Sequence, residues 1–339
     1  MSVATLDAAL LGAEPIVVAE ILRGLVDGPT LIRAEGRWPD RIADAARNAL
    51  GHVAAVTVAV GPPSSVPPDA FDLVLTEDAV AGVEAAFLRA PLAGVAGALL
   101  LRSAPRPLLD GLVAESATYS TLQAGAEFLA WRAARPVRAV ADTGGPRVRV
   151  DEHPGLREIV LVRPGRHNAL DVRMRDALHA AFVDAATTAD PVLLRGEGPS
   201  FCSGGDLDEF GMFPDPALAH LVRLDRSLAL AVAAVADRLV VALHGSCLGA
   251  GIELPAFARH VLAADDARLG LPEQALGLVP GAGGTVSIAR RAGRHAVLAM
   301  LLRDGTIAAE HGRTLGLVDE VVPLEGLRER AIAVATGLA

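Results

Sequence analysis

Apolar and polar positions follow different patterns in the two halves of the chain. Before a turn-rich break near residue 145, three stretches have the helical period and two short runs are continuously apolar. The helical stretches are residues 15–26, 79–88 and 107–135, and the apolar runs are residues 53–60 and 71–76. A 3.6-residue period predicts helices, and short apolar runs bounded by turn residues predict buried strands.

After the break, predicted strands and helices alternate at short spacing. A hairpin is predicted around His153-Pro154-Gly155, and Asp171 is a predicted helix cap. Further strands are predicted at residues 191–195, 239–243 and 260–264, and helices at residues 171–186, 216–236 and 249–258. Such units predict parallel strands joined by crossover helices. We therefore expect an α/β extension at residues 1–145 and a second α/β domain at residues 146–339.

The composition excludes several classes of function. Of the 339 residues, 52% are apolar and 21% are charged, which is enough apolar material for a packed core. All 31 basic residues are arginine, so chemistry that needs a catalytic lysine is excluded. The net charge of −9 and the lack of a basic run argue against nucleic-acid binding.

Other features bear on compartment and on membranes. The two cysteines, Cys202 and Cys247, are too few for a disulfide framework, and the N-terminus lacks the basic start of a signal peptide. Apolar segments such as residues 92–101 are too short to span a bilayer. No His/Cys cluster has the spacing of a metal site. We expect a cytoplasmic protein with neither a membrane partner nor a metal.

Glycine-bearing turns follow three predicted strands, where open α/β folds bind ligands. They are FCSGGD at residues 201–206, HGSCLGAGIE at residues 244–253 and LPEQALGLVPGAGGT at residues 271–285. Glycine lets a ligand approach the backbone, and the helix that starts near Ala250 directs free N–H groups toward it. No turn matches a phosphate-binding loop or a dinucleotide fingerprint. Each one alone is more often ordinary turn chemistry.

Taken in order, these turns resemble the crotonase (enoyl-CoA hydratase/isomerase) superfamily over about residues 148–323. The resemblance begins at Arg163-Pro164 and Asn168-Ala169-Leu170, runs through the three turns, and ends at LGLVD (residues 315–319) and VVP (residues 321–323). It implies a crotonase-type ββα spiral domain preceded by the α/β extension. It also implies an acyl-CoA thioester substrate, no cofactor beyond the CoA of that substrate, and a homo-oligomer (trimer or hexamer).

The resemblance further implies an oxyanion hole and a pair of acids. In the family, two backbone N–H groups bind the thioester oxygen, and these positions match Gly205 and Ala250. The second is commonly glycine, so Ala250 departs from the pattern. Hydratases of the family hold a water between two glutamates, which match Glu253 and Glu273. We expect Glu253 to activate the water and Glu273 to protonate Cα, although the roles could be exchanged. Without the resemblance, either residue would be interpreted as a helix-terminal acid.

Positions around the first turn match the place where the family binds CoA. They are Arg163, His167, Ala169, Ser203, Asp206 and Leu207. An arginine here can contact a phosphate, and a solvated strand edge is an equal alternative for Arg157, Arg163 and Arg166. Asp206 is also expected to fix its turn. Cys202 is interpreted as a packed residue rather than a nucleophile, and His167 and His244 as structural loop residues.

Two departures from the family pattern concern the ends of the chain. After VVP only residues 324–339 remain, about one helix, where family members have several that complete the acyl pocket and pack within a trimer. The extension resembles no family, and its polar residues Glu115, Tyr119 and Glu127 are interpreted as solvated or capping positions. We hypothesise that the extension covers the surface that the missing tail would have covered.

The leading hypothesis is an enoyl-CoA hydratase, a lyase of the kind used in fatty acid metabolism. One alternative is other crotonase-fold chemistry on an acyl- or aryl-CoA: isomerisation, decarboxylation or cofactor-independent oxygenation. One superfamily oxygenase also carries an N-terminal extension, which keeps this alternative open. Another alternative is a non-catalytic acyl-CoA-binding subunit, which the short tail favours and the pair of glutamates disfavours.

Overall fold

A parallel sheet with flanking helices forms the first part of the chain. The computed structural model describes residues 1–13, 15–64, 66–136, 144–213 and 215–337, so part of the predicted break, residue 143, lies outside the described residues. The elements are β1 (Ser2–Asp7), α1 (Pro15–Leu25), β2 (Thr30–Glu35), α2 (Asp44–His52), β3 (Val56–Val60), β4 (Leu73–Leu75), α3 (Glu77–Arg89), α4 (Pro91–Arg102), α5 (Leu108–Gln123) and α6 (Ala126–Ala134). The strands pair in parallel in the order β1-β2-β3-β4.

Most predicted elements of this part are confirmed, and the long predicted helix at residues 107–135 is wrong. The chain divides it into α5 and α6, because it turns between Gln123 and Ala126. Gly125 N donates to the carbonyl oxygen of Leu122 at 2.8 Å, which closes the turn. Strands β1 and β2 and helices α2 and α4 were not predicted.

The second part of the chain alternates strands and helices. Its elements are β5 (Val148–His153), β6 (Leu156–Leu161), α7 (Val172–Ala185), β7 (Val192–Gly196), α8 (Pro216–Asp225), α9 (Leu228–Ala233), β8 (Leu239–Leu243), β9 (Ser246–Leu248), α10 (Ala250–Glu253), β10 (His260–Ala264), β11 (Arg268–Gly270), α11 (Gly284–Ala292), α12 (Arg294–Leu301), β12 (Ile307–Ala308), α13 (Ala309–Thr314), β13 (Glu320–Val322) and α14 (Leu327–Ala335). The main sheet has the order β13-β10-β8-β7-β6-β5 and is parallel except for the β5–β6 hairpin. The predicted parallel sheet, hairpin and Asp171 cap are confirmed, the last by the hydrogen bond from Met174 N to Asp171 Oδ1 at 2.7 Å.

Two predicted helices of this part are shorter than expected. The helix at residues 216–236 is divided into α8 and α9, because Ser227 accepts a hydrogen bond from Leu230 N and starts a new helix. The helix at residues 249–258 is reduced to the single turn of α10 and a 3₁₀ turn at Pro255–Phe257. Pro255 lacks the N–H that a continuing helix would need.

A smaller sheet, β9-β11-β12, lies beside the main sheet and carries the second glycine turn. Strands β9 and β11 pair in parallel, with Leu248 opposite Gly270, and β12 pairs with β11 in the antiparallel sense. Because α10 follows β9 directly, this sheet fixes where the helix begins.

The core does not stop at the predicted domain boundary. One cluster of buried side chains joins Phe87 and Leu101 of the extension to Val241 and Leu301 of the second part. Helix α4 packs against α12, and α5 packs against α8 and α11. The buried Gln274 donates from Nε2 to the carbonyl oxygens of Ala86 and Ala90, at 2.9 and 3.0 Å. Helices of the extension therefore pack directly on the second part, beside its third glycine turn.

No single helix among the described residues is long and apolar enough to cross a membrane. Helices α3 and α4 reach the length and apolar composition of a membrane span only when taken together, and the pair is bent by 108°.

Candidate active site

The first two glycine turns lie side by side. Cys202 N donates to Ser246 O at 3.1 Å, and Leu248 N donates to Cys202 O at 3.0 Å. Glycine is needed at position 251, because a Cβ there would collide with the carbonyl oxygen of Cys202. As a result, Gly205 and Ala250 line the same cavity, which has a volume of about 460 Å³.

The main-chain N–H groups of Gly205 and Ala250 have no acceptor among the described residues, although neighbouring amides do. Asp206 N donates to Leu170 O, and Gly249 N donates to Gly270 O, both at 2.9 Å. Ala250 is the first residue of α10, so its N–H is one that the helix cannot satisfy. Two free amides in one cavity wall are the kind of donors that an oxyanion requires.

An alanine is tolerated at position 250 because the backbone conformation that requires glycine falls on the preceding residue, Gly249. Gly249 has φ 51° and ψ −121°, and a Cβ on it would collide with Oε1 of Glu273. Ala250 is absent from the non-glycine residues with positive φ, which in the described part are His167 and Asn168. The departure from the family pattern therefore leaves the amide of residue 250 in place.

Both predicted acids line this cavity, but their surroundings differ. Glu253 Oε2 accepts hydrogen bonds from Ala282 N at 2.8 Å and Gly284 N at 2.9 Å, both from the third glycine turn. Glu273 Oε2 is buried and has no hydrogen-bond partner among the described residues. The exposed fractions of the two residues are 2% and 7%. The structure thus brings Glu253, Glu273, Gly205 and Ala250 together, and their catalytic roles remain a prediction.

Burial raises the pKa of the acids around the cavity. The pKa of Glu273 rises to about 8, mainly through burial, and the charge of Glu115 adds to the effect. Burial and the charges of Glu273 and Glu115 raise the pKa of Glu253 well above its ordinary range, against the opposing hydrogen bonds from Ala282 and Gly284. Burial also raises the pKa of Glu115 to about 7, against the opposing hydrogen bonds from Thr285 and Gly283. Mutual repulsion in a dry site keeps the three carboxyl groups from all being charged near neutral pH.

Helix α5 of the extension contributes Glu115 to this region. Glu115 is 2% exposed; its Oε1 accepts from Gly283 N at 2.6 Å, and its Oε2 accepts from Thr285 N at 2.8 Å and Thr285 Oγ1 at 2.6 Å. The interpretation of Glu115 as solvated is wrong, because the packing of α5 on α8 and α11 buries it. It is a cap, but it caps α11 in the other half of the chain.

Tyr119 lies one turn further along α5 and lines the cavity. It is 9% exposed, so the interpretation as a solvated position is wrong for it too. Its ring packs on the third glycine turn: a Cβ on Gly281 would lie 2.7 Å from Tyr119 Cδ2. The third residue, Glu127, accepts from Leu92 N at 2.7 Å and Ala93 N at 3.0 Å at the start of α4, which confirms the capping interpretation.

Sequence reasoning missed several other residues of the cavity wall. They include Arg175, Glu209, Phe210 and Arg223. Phe210 explains why residue 205 is glycine, since a Cβ there would lie 2.5 Å from Phe210 Cε1. None of these residues belongs to a glycine motif, and helical or loop position alone carries no signal of a ligand.

Of the positions matched to CoA binding, Asp206 is the one that lines the cavity. Arg163 Nη1 donates to Asp206 Oδ2 and to Ala169 O, both at 2.8 Å, and Arg166 Nη2 donates to Asp206 Oδ1 at 3.1 Å. Burial works to raise the pKa of Asp206, but the hydrogen bond from Arg163 and the two guanidinium charges outweigh it, and the pKa is lowered. Asp208 N donates to Asp206 Oδ1 at 3.1 Å, which confirms that Asp206 fixes its turn.

The interpretation as solvated strand-edge residues is wrong for all three arginines. Arg163 and Arg166 are paired with carboxylates around the turn, and Arg157 is buried. Arg157 is also paired, with Glu152 at 2.8 Å and Asp184 at 2.9 Å. A phosphate contact by Arg163 stays a prediction.

The remaining matched positions support the first turn rather than the cavity. His167 Nδ1 lies 2.9 Å from Ser200 Oγ, and the carbonyl oxygen of His167 accepts from Ser203 N at 2.9 Å. The carbonyl oxygen of Leu207 accepts from Arg132 Nη1 at 3.1 Å, and Ala169 is buried. CoA binding by these residues stays a prediction.

Cys202 and His244 have the structural surroundings that the sequence predicted. Cys202 is 3% exposed, and burial raises the pKa of its thiol to about 11, so it holds little thiolate at neutral pH. His244 Nε2 lies 2.9 Å from the carbonyl oxygen of Gly198, within the loop before the first turn.

Comparison with known proteins identifies the family of this chain. A family model described as enoyl-CoA hydratase/isomerase matches residues 151–339, more than half of the chain. The chain belongs to this family. The match begins inside β5, so it excludes the whole extension and includes all three glycine turns.

Solved structures give the same result over the same part of the chain. An enoyl-CoA hydratase from Bacillus anthracis is 31% identical, with a TM-score of 0.52 over 57% of this chain and 76% of that chain. An enoyl-CoA hydratase from Mycobacterium smegmatis is 29% identical, with a TM-score of 0.53 over the same two shares. A third, from Thermoplasma volcanium, is 29% identical, with a TM-score of 0.51 over 57% of this chain and 78% of that chain. The crotonase-type fold is thereby confirmed for the second part of the chain.

Proposed function

We propose that this member of the enoyl-CoA hydratase/isomerase family adds water across the double bond of a 2-enoyl-CoA. The observation that carries the proposal is that two acids and two free main-chain amides line one cavity. The solved relatives from Bacillus anthracis and Mycobacterium smegmatis, both named enoyl-CoA hydratases, support it.

In the proposed reaction, the thioester oxygen accepts hydrogen bonds from Gly205 N and Ala250 N. Glu253 takes a proton from water as the water oxygen bonds to Cβ, and the π electrons move onto the thioester oxygen as an enolate. The enolate then collapses and takes a proton at Cα from Glu273, which gives a 3-hydroxyacyl-CoA. Losing one donor of such an oxyanion hole costs about 3–4 kcal/mol in comparable enzymes.

The surroundings of the acids support this division of labour. If Glu273 holds the proton, it no longer repels Glu253, and the amides of Ala282 and Gly284 then favour a carboxylate on Glu253 against the opposing effect of its burial. Glu273 has one carboxyl oxygen without a hydrogen-bond partner among the described residues, and burial raises its pKa to about 8, so it is suited to remain protonated near neutral pH. The pair therefore offers one base and one acid at the same time.

The test is turnover of crotonyl-CoA, followed by mass spectrometry for the gain of one water. We expect Glu253→Gln and Glu273→Gln each to lower kcat by roughly 10²–10⁴-fold, the range typical of general acid–base groups. Glu310→Gln is the matched control, because Glu310 is 64% exposed and bonded to Arg313 on the surface.

Other products would contradict the proposal in recognisable ways. A shifted double bond without added water indicates isomerisation, loss of CO₂ indicates decarboxylation, and consumption of oxygen indicates an oxygenase. A wild-type protein that binds CoA thioesters but converts none of a panel of enoyl- and aryl-CoA substrates would be a binding subunit.

A further inference from the structure

One arginine in the cavity wall has no carboxylate partner among the described residues. Arg223, near the end of α8, donates to Ser120 Oγ at 3.1 and 3.4 Å and to Ala219 O at 3.3 Å. Its guanidinium carbon lies 4.5 Å from the centroid of the Tyr119 ring, in a cation–π contact. Burial lowers the pKa of Arg223, which shows that the charge is held partly out of water, although the group stays protonated.

The arginines nearby are already neutralised. Arg175 donates to Asp176 at 2.8 and 2.9 Å, and Arg226 donates to Asp225 at 3.2 Å. The charge of Glu115 acts to raise the pKa of Arg223. However, the oxygens of Glu115 accept their hydrogen bonds from the start of α11 and not from Arg223. A half-buried cation without a contacting anion is costly, and arginine presents a planar fork that matches a carboxylate.

Arg223 lies between two adjoining cavities. It lines the main cavity together with Glu253 and Glu273, and it also lines an adjoining smaller cavity of about 100 Å³. A few direct contacts connect Arg223 to Glu253. Ala282 N donates to Glu253, and the neighbouring Gly281 packs on the Tyr119 ring. Arg223 lies over the same ring. The smaller cavity adds Ser116 and Ser227, whose hydroxyl groups suit a polar ligand.

We propose that Arg223 binds a carboxylate at the far end of the acyl group, so that the protein selects thioesters of dicarboxylic acids over neutral acyl chains of the same length. The reaction at the thioester rests on the proposed function, whereas the anion site does not depend on it. The same cation could instead meet a phosphate of CoA, and the experiment separates these two sources.

The experiment measures binding of saturated thioesters, which have no double bond to hydrate. Glutaryl-CoA and pentanoyl-CoA have five-carbon acyl chains and differ in the terminal carboxylate. We expect the wild-type protein to bind glutaryl-CoA roughly 10- to 100-fold more tightly, the range for hydrogen bonds to a charged group. Arg223→Gln should bring this ratio close to one, and Arg223→Lys, which keeps the charge, should restore part of it. Arg41→Gln is the matched control, since Arg41 is 79% exposed.

The N-acetylcysteamine thioesters of the same two acids lack the CoA phosphates. If Arg223 binds the acyl carboxylate, the preference for the glutaryl ester and its loss in Arg223→Gln persist with these short esters. If it binds a phosphate, Arg223→Gln weakens both CoA esters equally and neither short ester, which overturns the proposal.

Equal affinity of the wild-type protein for glutaryl-CoA and pentanoyl-CoA also overturns it, even if Arg223→Gln fails to fold. Failure to hydrate any enoyl-CoA would defeat the proposed function but leave the binding preference intact, so the two failures can be distinguished.

Discussion

Helix α5 and the glycine turn before α10 border the same cavity, but they contribute to it in different ways. The turn supplies a main-chain amide, and its shape requires glycine at position 249. Helix α5 supplies side chains, Glu115 and Tyr119, from an unbroken helix whose backbone is ordinary. A site built from backbone leaves glycines in the sequence, whereas a site built from helix side chains leaves only residues that many helices contain.

The two regions also depend on each other. Glu115 holds the start of α11, and the residues just before α11 donate to Glu253. The ring of Tyr119 packs on the same turn. The extension therefore supports an acid that lies in the other half of the chain.

The largest expected effect comes from the turn. Gly249→Ala should lower kcat/KM by roughly 10³-fold, because the new Cβ displaces Glu273, and a general acid is worth about 10²–10⁴-fold. Gly155→Ala is the matched control: Gly155 has φ 72° but open space around its Cβ position. Steady-state kinetics on crotonyl-CoA separates collision from backbone strain. Equal losses in the two variants would contradict the account of the turn.

The next largest effect is a pH dependence of stability, to which Glu115 of α5 and Glu273 beside the glycine turn both contribute. The pKa values of Glu115 (about 7) and Glu273 (about 8) are raised in the folded protein, so the folded state binds more protons than the unfolded chain. Their contribution to stability is fully present below their ordinary pKa of about 4.5 and is lost as the pH rises through 7 and 8. We expect the free energy of unfolding to fall by several kcal/mol between pH 5 and pH 9, since each unit by which a pKa is raised is worth about 1.4 kcal/mol. Urea titrations measure it, and Glu115→Gln/Glu273→Gln should make the curve shallower, with Glu253 supplying the slope that remains. A slope unchanged in the double variant would refute the assignment.

Glu115→Gln tests the helix alone. Glutamine places an amide NH2 group where one carboxyl oxygen accepts a hydrogen bond at the start of α11, so a buried N–H group loses its acceptor. This should cost about 1–3 kcal/mol of stability and lower kcat several-fold because Glu253 loses support. Glu127→Gln is the control, because Glu127 caps α4 through two amides and does not line the cavity. Thermal denaturation and kinetics together decide the outcome. If both variants lose stability and neither loses activity, α5 is only a structural cover.

The smallest expected effect is that of Tyr119→Leu. The ring fills space against Gly281 and lies under Arg223, so its loss should raise KM for crotonyl-CoA about 3-fold with a smaller change in kcat. Tyr119→Phe keeps the ring and should show the smaller KM change of the two variants. A larger effect of Tyr119→Phe on kcat than on KM would mean that the hydroxyl takes part in the reaction.

The sequence by itself determined the chemistry that backbone shape requires. Gly205, Gly249 and Gly251 stand where a side chain would strike a ring, an acid or a carbonyl group, so their order along the chain marks the fold and the two amides. The acids Glu253 and Glu273 could be predicted because they stand at the two positions that match the glutamates of the family's hydratases.

Only the tertiary structure decided which side chains of distant helices, such as α5 and α8, lie around the cavity. Whether Glu115 is a solvated helix residue or a buried cap depends on which helix packs against α5. In the same way, the packing of α8 on α5 brings Ser120 to Arg223 but brings it no carboxylate partner among the described residues. Helical periodicity specifies a buried face but not its neighbour, since long-range packing is set by the whole core. The extension's part in the site was therefore invisible until the chain was folded.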